Sequence, residues 1–351
     1  MNRQELLAMV HGGDVVSELD CSGLDLSGAD LSGGIFDKSN FQGANLSGST
    51  IDESAFTHCD LTGANFSDTH LHLSNFVNCK LAGVNFTNAY FANSSCIKCD
   101  LTGALFTRAD MTIAKLIECD LSRVVFDHAN LDRAAILEST LAGATLRQAQ
   151  LKQTAVVSTD LSASFLEGAV CSNTIFVKSN LKGLKLKGMQ LQMTQFIGAD
   201  LSGVDFSGSD LTQCNFKDAN LSNAIFQGCK LGNAIFPDAN ASGALFVGAH
   251  LPQAIFMSAN LSAANFSGCD MQQAQFKKAI CNATIFNATD LTYCDFSHAD
   301  LTRADFGNAK LFRAVFHRVK EEGANFNGAS RALALETDAD LAASEDWALT
   351  A

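Results

Sequence analysis

An apolar side chain recurs at every fifth position from Cys21 to Phe326, with no insertion or deletion in the run. Of the 62 positions on this frame, 60 carry Leu, Phe, Ile, Val, Met or Cys, and only Ala241 and Glu321 break it. Of the chain's 26 phenylalanines, 24 sit on the frame, Phe165 and Phe312 being the exceptions. A five-residue period matches neither the 3.6-residue helix nor the two-residue strand. Self-similarity this long predicts a solenoid, in which each unit buries its apolar face only by stacking on its neighbours.

The flanking positions are also regular. Two places before the frame the residue is small, as at Ala29, Ala44, Cys59, Ala64, Cys79, Ala104 and Ala264. One place before it Asp or Asn is frequent, as at Asp30, Asn45, Asn65 and Asp210, and Ser, Thr or Gly commonly follows. Stretches such as Ala29-Asp30-Leu31-Ser32-Gly33 and Ala199-Asp200-Leu201-Ser202-Gly203 resemble the A(D/N)LxG motif of the pentapeptide-repeat family, over nearly nine-tenths of the chain. The resemblance implies an all-β fold, a right-handed quadrilateral β-helix with one pentapeptide per side and four per coil. In that fold the frame residue and the small residue two before it point inward.

The residues test this geometry independently. With four sides per coil, positions twenty apart stack and positions ten apart face each other. Sorted that way, two opposite sides hold 22 of the 24 in-frame phenylalanines. The other two sides are mostly leucine, as at Leu61, Leu81, Leu101 and Leu121. Phe therefore meets Phe across the tube and Leu meets Leu, which keeps the cross-section filled from coil to coil. About 15 coils at roughly 4.8 Å spacing give a rod on the order of 70 Å long. Between Phe126 and Phe176 the frame has no aromatic, and Leu184 and Met189 replace the small inward residue around Leu186. A slimmer aliphatic waist between two Phe-cored halves is expected there.

The expected organisation is an N-terminal helical cap and lead-in over 1–20, the pentapeptide-repeat β-helix over 21–330 and an acidic C-terminal cap or tail over 331–351. Asn2 and Glu5 form a capping-box pattern, and Leu6, Leu7 and Val10 give that short helix one apolar face. At the other end the frame fails at Glu321 and again at Arg331, and the lone tryptophan, Trp347, lies in the acidic tail. A terminal cap is also the expected place for a homodimer contact.

Composition narrows the function. Two prolines in 351 residues suit a body of stacked backbone hydrogen bonds. No apolar run approaches a membrane span and no signal core follows a basic segment, so a soluble, cytoplasmic protein is expected. All 12 cysteines occupy inward positions, as small hydrophobes do. Cys96-Ile-Lys-Cys99 reads as CxxC, a redox or metal spacing, but both sulfurs point into the tube. His70-Leu71-His72 sits among outward Ser and Asp common to the repeat, and no phosphate loop, HExxH or cleft-forming insertion is present. The expectation is a non-enzyme with no cofactor and no metal.

The net charge is −13, unevenly spread: residues 1–100 carry 4 basic and 12 acidic side chains, while 101–190 carry 10 and 8. One leucine side bears an acidic row, Asp60, Asp100, Asp120, Asp160 and Asp200. Pentapeptide-repeat proteins that resemble duplex DNA in size and charge protect type II topoisomerases from quinolones, so the resemblance implies a DNA-mimic reading. The basic middle, with Lys178, Lys182, Lys185 and Lys187, breaks that field. The two Phe sides carry outward aliphatics, Ile225 and Leu245 on one and Ile235 and Ile255 on the other, which suggest docking surfaces. A protein partner is expected, without direct nucleic-acid or membrane binding. The opening Glu5-Leu6-Leu7-Ala8-Met9-Val10, followed by the stretch from Leu24 to Gly33, resembles the start of pentapeptide-repeat modules found with bacterial type VI secretion accessory proteins, which implies an adaptor role.

Overall fold

The computed structural model describes residues 1–350, with side chains through Trp347. The chain divides into two compact units, Met1–Asn180 and Leu181–Ala351. Both are built from the same twenty-residue turn.

In the first unit, α1 (Arg3–Gly12) is started by the predicted capping box: Glu5 N–H donates to Asn2 Oδ1 and Asn2 N–H to Glu5 Oε2. It buries Leu6 and Val10 against the first turn, and Arg3 donates to the carbonyls of Asp25 and Ser27. Eight three-residue strands follow: β1 (Val15–Ser17), β2 (Ile35–Asp37), β3 (Ala55–Thr57), β4 (Asn75–Val77), β5 (Ser95–Ile97), β6 (Lys115–Ile117), β7 (Ala135–Leu137) and β8 (Ala155–Val157). They form one parallel sheet in chain order, with Val16 opposite Phe36 and Phe36 opposite Phe56. The other sides pair through single-residue parallel bridges at the same spacing, such as Asp20 with Asn40, Asp25 with Asn45 and Asp30 with Thr50. Regular strands thus span seven turn-to-turn steps, fewer than the coil count expected from the repeat. Among the described residues the repeat of the second unit pairs through single-residue bridges, running from Lys185 with Asp205 to Val315 with Leu335.

Along most of the repeat a frame residue donates its N–H to the carbonyl nineteen positions on, while the residue before it donates to the carbonyl twenty-one positions back. Phe226 N–H reaches Leu245 O at 2.7 Å, and Ile225 N–H reaches Val204 O at 2.8 Å. The corners lie two residues past the frame, where a left-handed residue turns the chain. Glycine supplies it at Gly203 and Gly243, but Glu53, Arg303 and Tyr293 also take φ between 58° and 60°. That conformation costs a non-glycine residue about 1 kcal/mol. The ladder holds it, since Glu53 N–H donates to His72 O at 2.8 Å and Arg303 N–H to Glu322 O at 2.8 Å.

The interior is filled. Phe36, Phe56, Phe226 and Phe246 are fully buried, as are the small residues Ala224 and Ala244 two places before the frame. Rings twenty apart stack, Phe226 on Phe246 at 4.6 Å and 3°. Rings ten apart meet edge to face, Phe226 with Phe236 at 6.3 Å and 86°. Where the small position holds Ser, Thr or Cys, its side chain commonly donates to the frame carbonyl one turn back. Thr284 Oγ1 to Leu261 O is 2.7 Å, and Cys79 Sγ to Phe56 O is 3.3 Å. Leu184 and Met189 are buried, so their bulk does enter the interior around Leu186.

The two frame failures near the C-terminus close the second unit. Glu321 and Arg331, ten apart and therefore on facing sides, pair at 3.2 Å. The Arg331 guanidinium lies 4.1 Å over the Phe316 ring and 5.0 Å over Phe326, and also pairs with Glu336. A charged plug thus covers the last aromatic layer. Beyond it come a 3-10 turn (Arg331–Leu333) and α2 (Ala339–Thr350).

The inward frame makes a sharp distinction between neighbours. Phe226→Asp places an unpaired charge in the ring stack, where it is strongly destabilising. Gln227→Asp, on the exposed adjacent position, is expected to stay within about 0.5 kcal/mol of the wild type. Denaturant unfolding of both variants checks this, and equal midpoints would contradict the assignment.

Candidate functional site

Because the interior is packed, the sites available for recognition are outward rows and the chain ends. In the first unit the acidic row stacks in the order Asp60, Lys80, Asp100, Asp120, Thr140, Asp160. Only Asp100 and Asp120 are consecutive acids. Each row carboxylate accepts the backbone N–H two residues on: Thr62 to Asp60 at 3.1 Å, Thr102 to Asp100 at 3.0 Å, Ser122 to Asp120 at 2.9 Å and Ser162 to Asp160 at 2.9 Å. Asp200, in the second unit, accepts from Ser202 N–H at 3.0 Å in the same way. Lys80 pairs with Asp60 at 3.2 Å, and Asn180 Nδ2 donates to Asp160. These aspartates therefore build the corner that follows them.

The electrostatics agree. Burial pushes the Asp60 and Asp120 carboxyls up, but hydrogen bonds from Thr62 and Ser122 outweigh it and leave both below the ordinary 3.8.

In the second unit, Ile225 stacks directly on Leu245, and Ile235 on Ile255. They precede Phe226, Phe246, Phe236 and Phe256, whose rings face one another across the interior. The two aliphatic pairs consequently lie on opposite sides, and a single flat partner would meet one of them. Leu245 is 42% exposed, whereas Ile225, Ile235 and Ile255 are half-buried. Asp205 and Asn265 bound the Ile225–Leu245 pair along its row. Lys185 and Lys187 approach Asp205, whose carboxyl is raised by burial and lowered further by Ser207 and the two lysines.

All twelve cysteines are buried and unbridged. Burial drives the Cys96 thiol well above the usual range, and that of Cys171 up to about 12, so these sulfurs stay protonated and poor nucleophiles. The His70 and His72 rings lie 5.8 and 5.9 Å from Tyr90, and His72 Nε2 meets Asn93.

One cluster was not foreseen from sequence. His298 Nε2, His317 Nε2 and the Glu345 carboxylate converge within 4.8 Å of one another. His317 is buried; Glu345 reaches it from α2. The two histidines are nineteen residues apart and Glu345 follows a break in the repeat, so no spacing announces them. A cavity of about 590 Å³ lies beside the cluster, lined by Val315, His317, Leu335, Thr337, Asp338 and Leu341 among others. Among the described residues no helix is long and apolar enough to cross a membrane.

Eight copies of the family of pentapeptide repeats match residues 17–52, 119–154, 157–188, 199–237, 234–273, 254–292, 269–308 and 279–318. A pentapeptide repeat region matches residues 49–112. The chain belongs to the pentapeptide-repeat family, whose members are generally non-enzymatic interaction proteins. No curated protein matches it.

Among solved structures, it is similar to HetL, a pentapeptide repeat protein involved in heterocyst differentiation regulation from the cyanobacterium Nostoc. The identity is 20% over 96% of this chain and 98% of that one, with a TM-score of 0.20. It is also similar to QnrB1, a plasmid-mediated fluoroquinolone resistance protein, at 22% identity over 67% of this chain and 91% of that one, with a TM-score of 0.30. A pentapeptide repeat protein of the Arabidopsis thaliana thylakoid lumen matches at 22% identity over 40% of this chain and 70% of that one, with a TM-score of 0.14. Family membership rests on the repeat matches, not on these superpositions.

If the acidic row is corner chemistry, its oxygen matters more than its charge. Asp120→Asn keeps the Oδ1 acceptor and should lose only the smaller share that the charge adds, whereas Asp120→Ala loses both and should cost roughly 0.5–1.5 kcal/mol. The sign with pH follows from the lowered carboxyls. Their contribution is fully present above the ordinary value of 3.8 and lost as pH falls through the lower folded value. The Asp120→Ala deficit should therefore shrink as pH falls below the ordinary 3.8; unfolding titrations of the three proteins check it.

Proposed function

We propose that this chain is a non-catalytic scaffold or adaptor that presents fixed side-chain rows to a protein partner. The observation that carries the reading is the Ile225–Leu245 pair: two large aliphatics stacked outward on one ladder and bounded by Asp205 and Asn265, with Leu245 substantially exposed. Among the described residues the interior is packed, and the hollows along the repeat, such as the one lined by Lys182, Asp200 and Asn220, lie open to solvent rather than desolvating a substrate. A secretion-associated accessory role is the more particular form of this proposal and rests on the opening segment from Glu5 to Gly33.

The second reading is a DNA mimic that binds and protects a type II topoisomerase. The net charge of −13 favours it. The occupation of Asp60, Asp100, Asp120, Asp160 and Asp200 with their own corners, and the Lys80–Asp60 pair, weigh against it.

Two variants separate the readings. In a pull-down from the native cell, scored for gyrase against secretion components, Ile225→Lys/Leu245→Lys should lose the specific partner. Changing all five aspartates to Asn should leave capture intact. Purified wild-type protein should give gyrase no quinolone protection in a supercoiling assay. Protection that disappears in the Asp-to-Asn variant would reverse the ranking.

A further inference from the structure

The two terminal helices are attached by different physics. Helix α1 buries Leu6 and Val10. Helix α2 leaves Leu341 47% and Trp347 76% exposed, and of its described residues only Ala342 and Glu345 are even half-buried. Polar contacts hold α2 instead. Glu345 Oε1 receives His298 Nε2 at 3.1 Å, and Oε2 receives His317 Nε2 at 3.2 Å and Arg318 Nε at 3.2 Å. Arg318 Nη2 also reaches Asp346 Oδ2 at 2.6 Å and the Ala342 carbonyl at 2.7 Å. Upstream, Asp338 N–H donates to His317 Nδ1 at 3.2 Å, and Asp338 Oδ1 accepts the N–H groups of Asp340 and Leu341.

Two histidines and a carboxylate are also a metal-ligand set. The hydrogen bonds argue otherwise. A metal-bound histidine donates its second ring N–H outward, yet His317 Nδ1 faces an N–H donor and must accept. Its proton is therefore on Nε2, aimed at Glu345, where a metal would have to sit. Arg318 further places a cation on the same carboxylate oxygen. The donors around Glu345 make it an anion clasp.

We propose that α2 is a releasable strap, shut by the Glu345 clasp over the last turns of the second unit, and that its release opens the cavity lined by Val315, His317, Leu335 and Leu341. A twelve-residue helix is marginal alone in water, so a strap whose Leu341 and Trp347 stay largely exposed loosens when the clasp is broken. The His317 and His298 hydrogen bonds hold the Glu345 carboxyl below its ordinary value, and Arg318 does the same for Asp346. Docking from these groups is thus present above the ordinary carboxyl range and lost as pH falls below it. The titratable and charged groups facing the clasp are His298, His317, Arg318 and Asp346; Lys277, Asp295, Glu336 and Asp338 border the cavity, and Glu336 is paired with Arg331.

Hydrogen–deuterium exchange on the full chain, read at residues 339–347, tests this. At neutral pH and low salt the wild type should exchange at least tenfold more slowly there than Glu345→Gln. The Phe306 amide, which donates into the ladder, should be unchanged and serves as the internal reference. Asp340→Asn, an acid of the same helix outside the clasp, should behave like wild type. Raising NaCl from 0.1 to 1 M shortens screening from about 10 to about 3 Å and should speed wild-type exchange towards that of Glu345→Gln. Equal exchange in wild type and Glu345→Gln, or indifference to salt, overturns the proposal. So does tenfold slowing by Zn²⁺ alone that is lost in His298→Gln, which would assign the cluster to a metal.

Discussion

Each interior side chain has an equivalent neighbour one turn above and one turn below, and that repetition at twenty residues governs what else the chain can do. Phe226 stacks on Phe206 and Phe246 while its edge meets Phe216 and Phe236. A ring here is packed on every side by other rings, and aromatic pairs gain about 0.5–1.5 kcal/mol beyond their buried area. The backbone ladder runs at the same spacing, so stacking and hydrogen bonding enforce one register. That shared register overrides local preference at the corners, where glutamate, arginine and tyrosine take left-handed φ because their amides are held by the next turn.

The same constraint determines where recognition is possible. A filled interior leaves only outward positions, and many polar ones are already engaged in building the turn. Asp60, Asp120 and Asp200 illustrate this: a sequence of carboxylates reads as an electrostatic surface, but each has an oxygen committed to the next corner. Aliphatic outward residues such as Leu245 carry no comparable structural duty. That asymmetry is why the adaptor reading ranks above mimicry.

Much of the fold was legible because the period is so constant. The inward frame, the facing Phe sides, the buried cysteines and the Asn2–Glu5 capping box all follow from spacing and side-chain size. Less legible was what the breaks in the frame do. Glu321 and Arg331 read as loss of the repeat, yet being ten apart places them on facing sides of one turn, where they pair over Phe316 and Phe326. Glu345 was invisible as a partner of His298 and His317 because it lies on a helix outside the repeat, whose placement no periodicity dictates. The strands themselves were also fewer than the repeat suggests, since most sides pair through a single residue, too short for a regular strand.

A twenty-residue register, with like sides ten apart, holds each unit together. Deleting residues 211–230 removes one whole turn and puts Leu231 where Leu211 stood. Deleting residues 211–215 puts Phe216 there instead and sets every later Phe side over a Leu side. Denaturant unfolding of the two deletion proteins is the most direct test. The register account predicts a cooperative transition close to wild type for the twenty-residue deletion and a large loss of stability for the five-residue one. Equal midpoints for the two would contradict it.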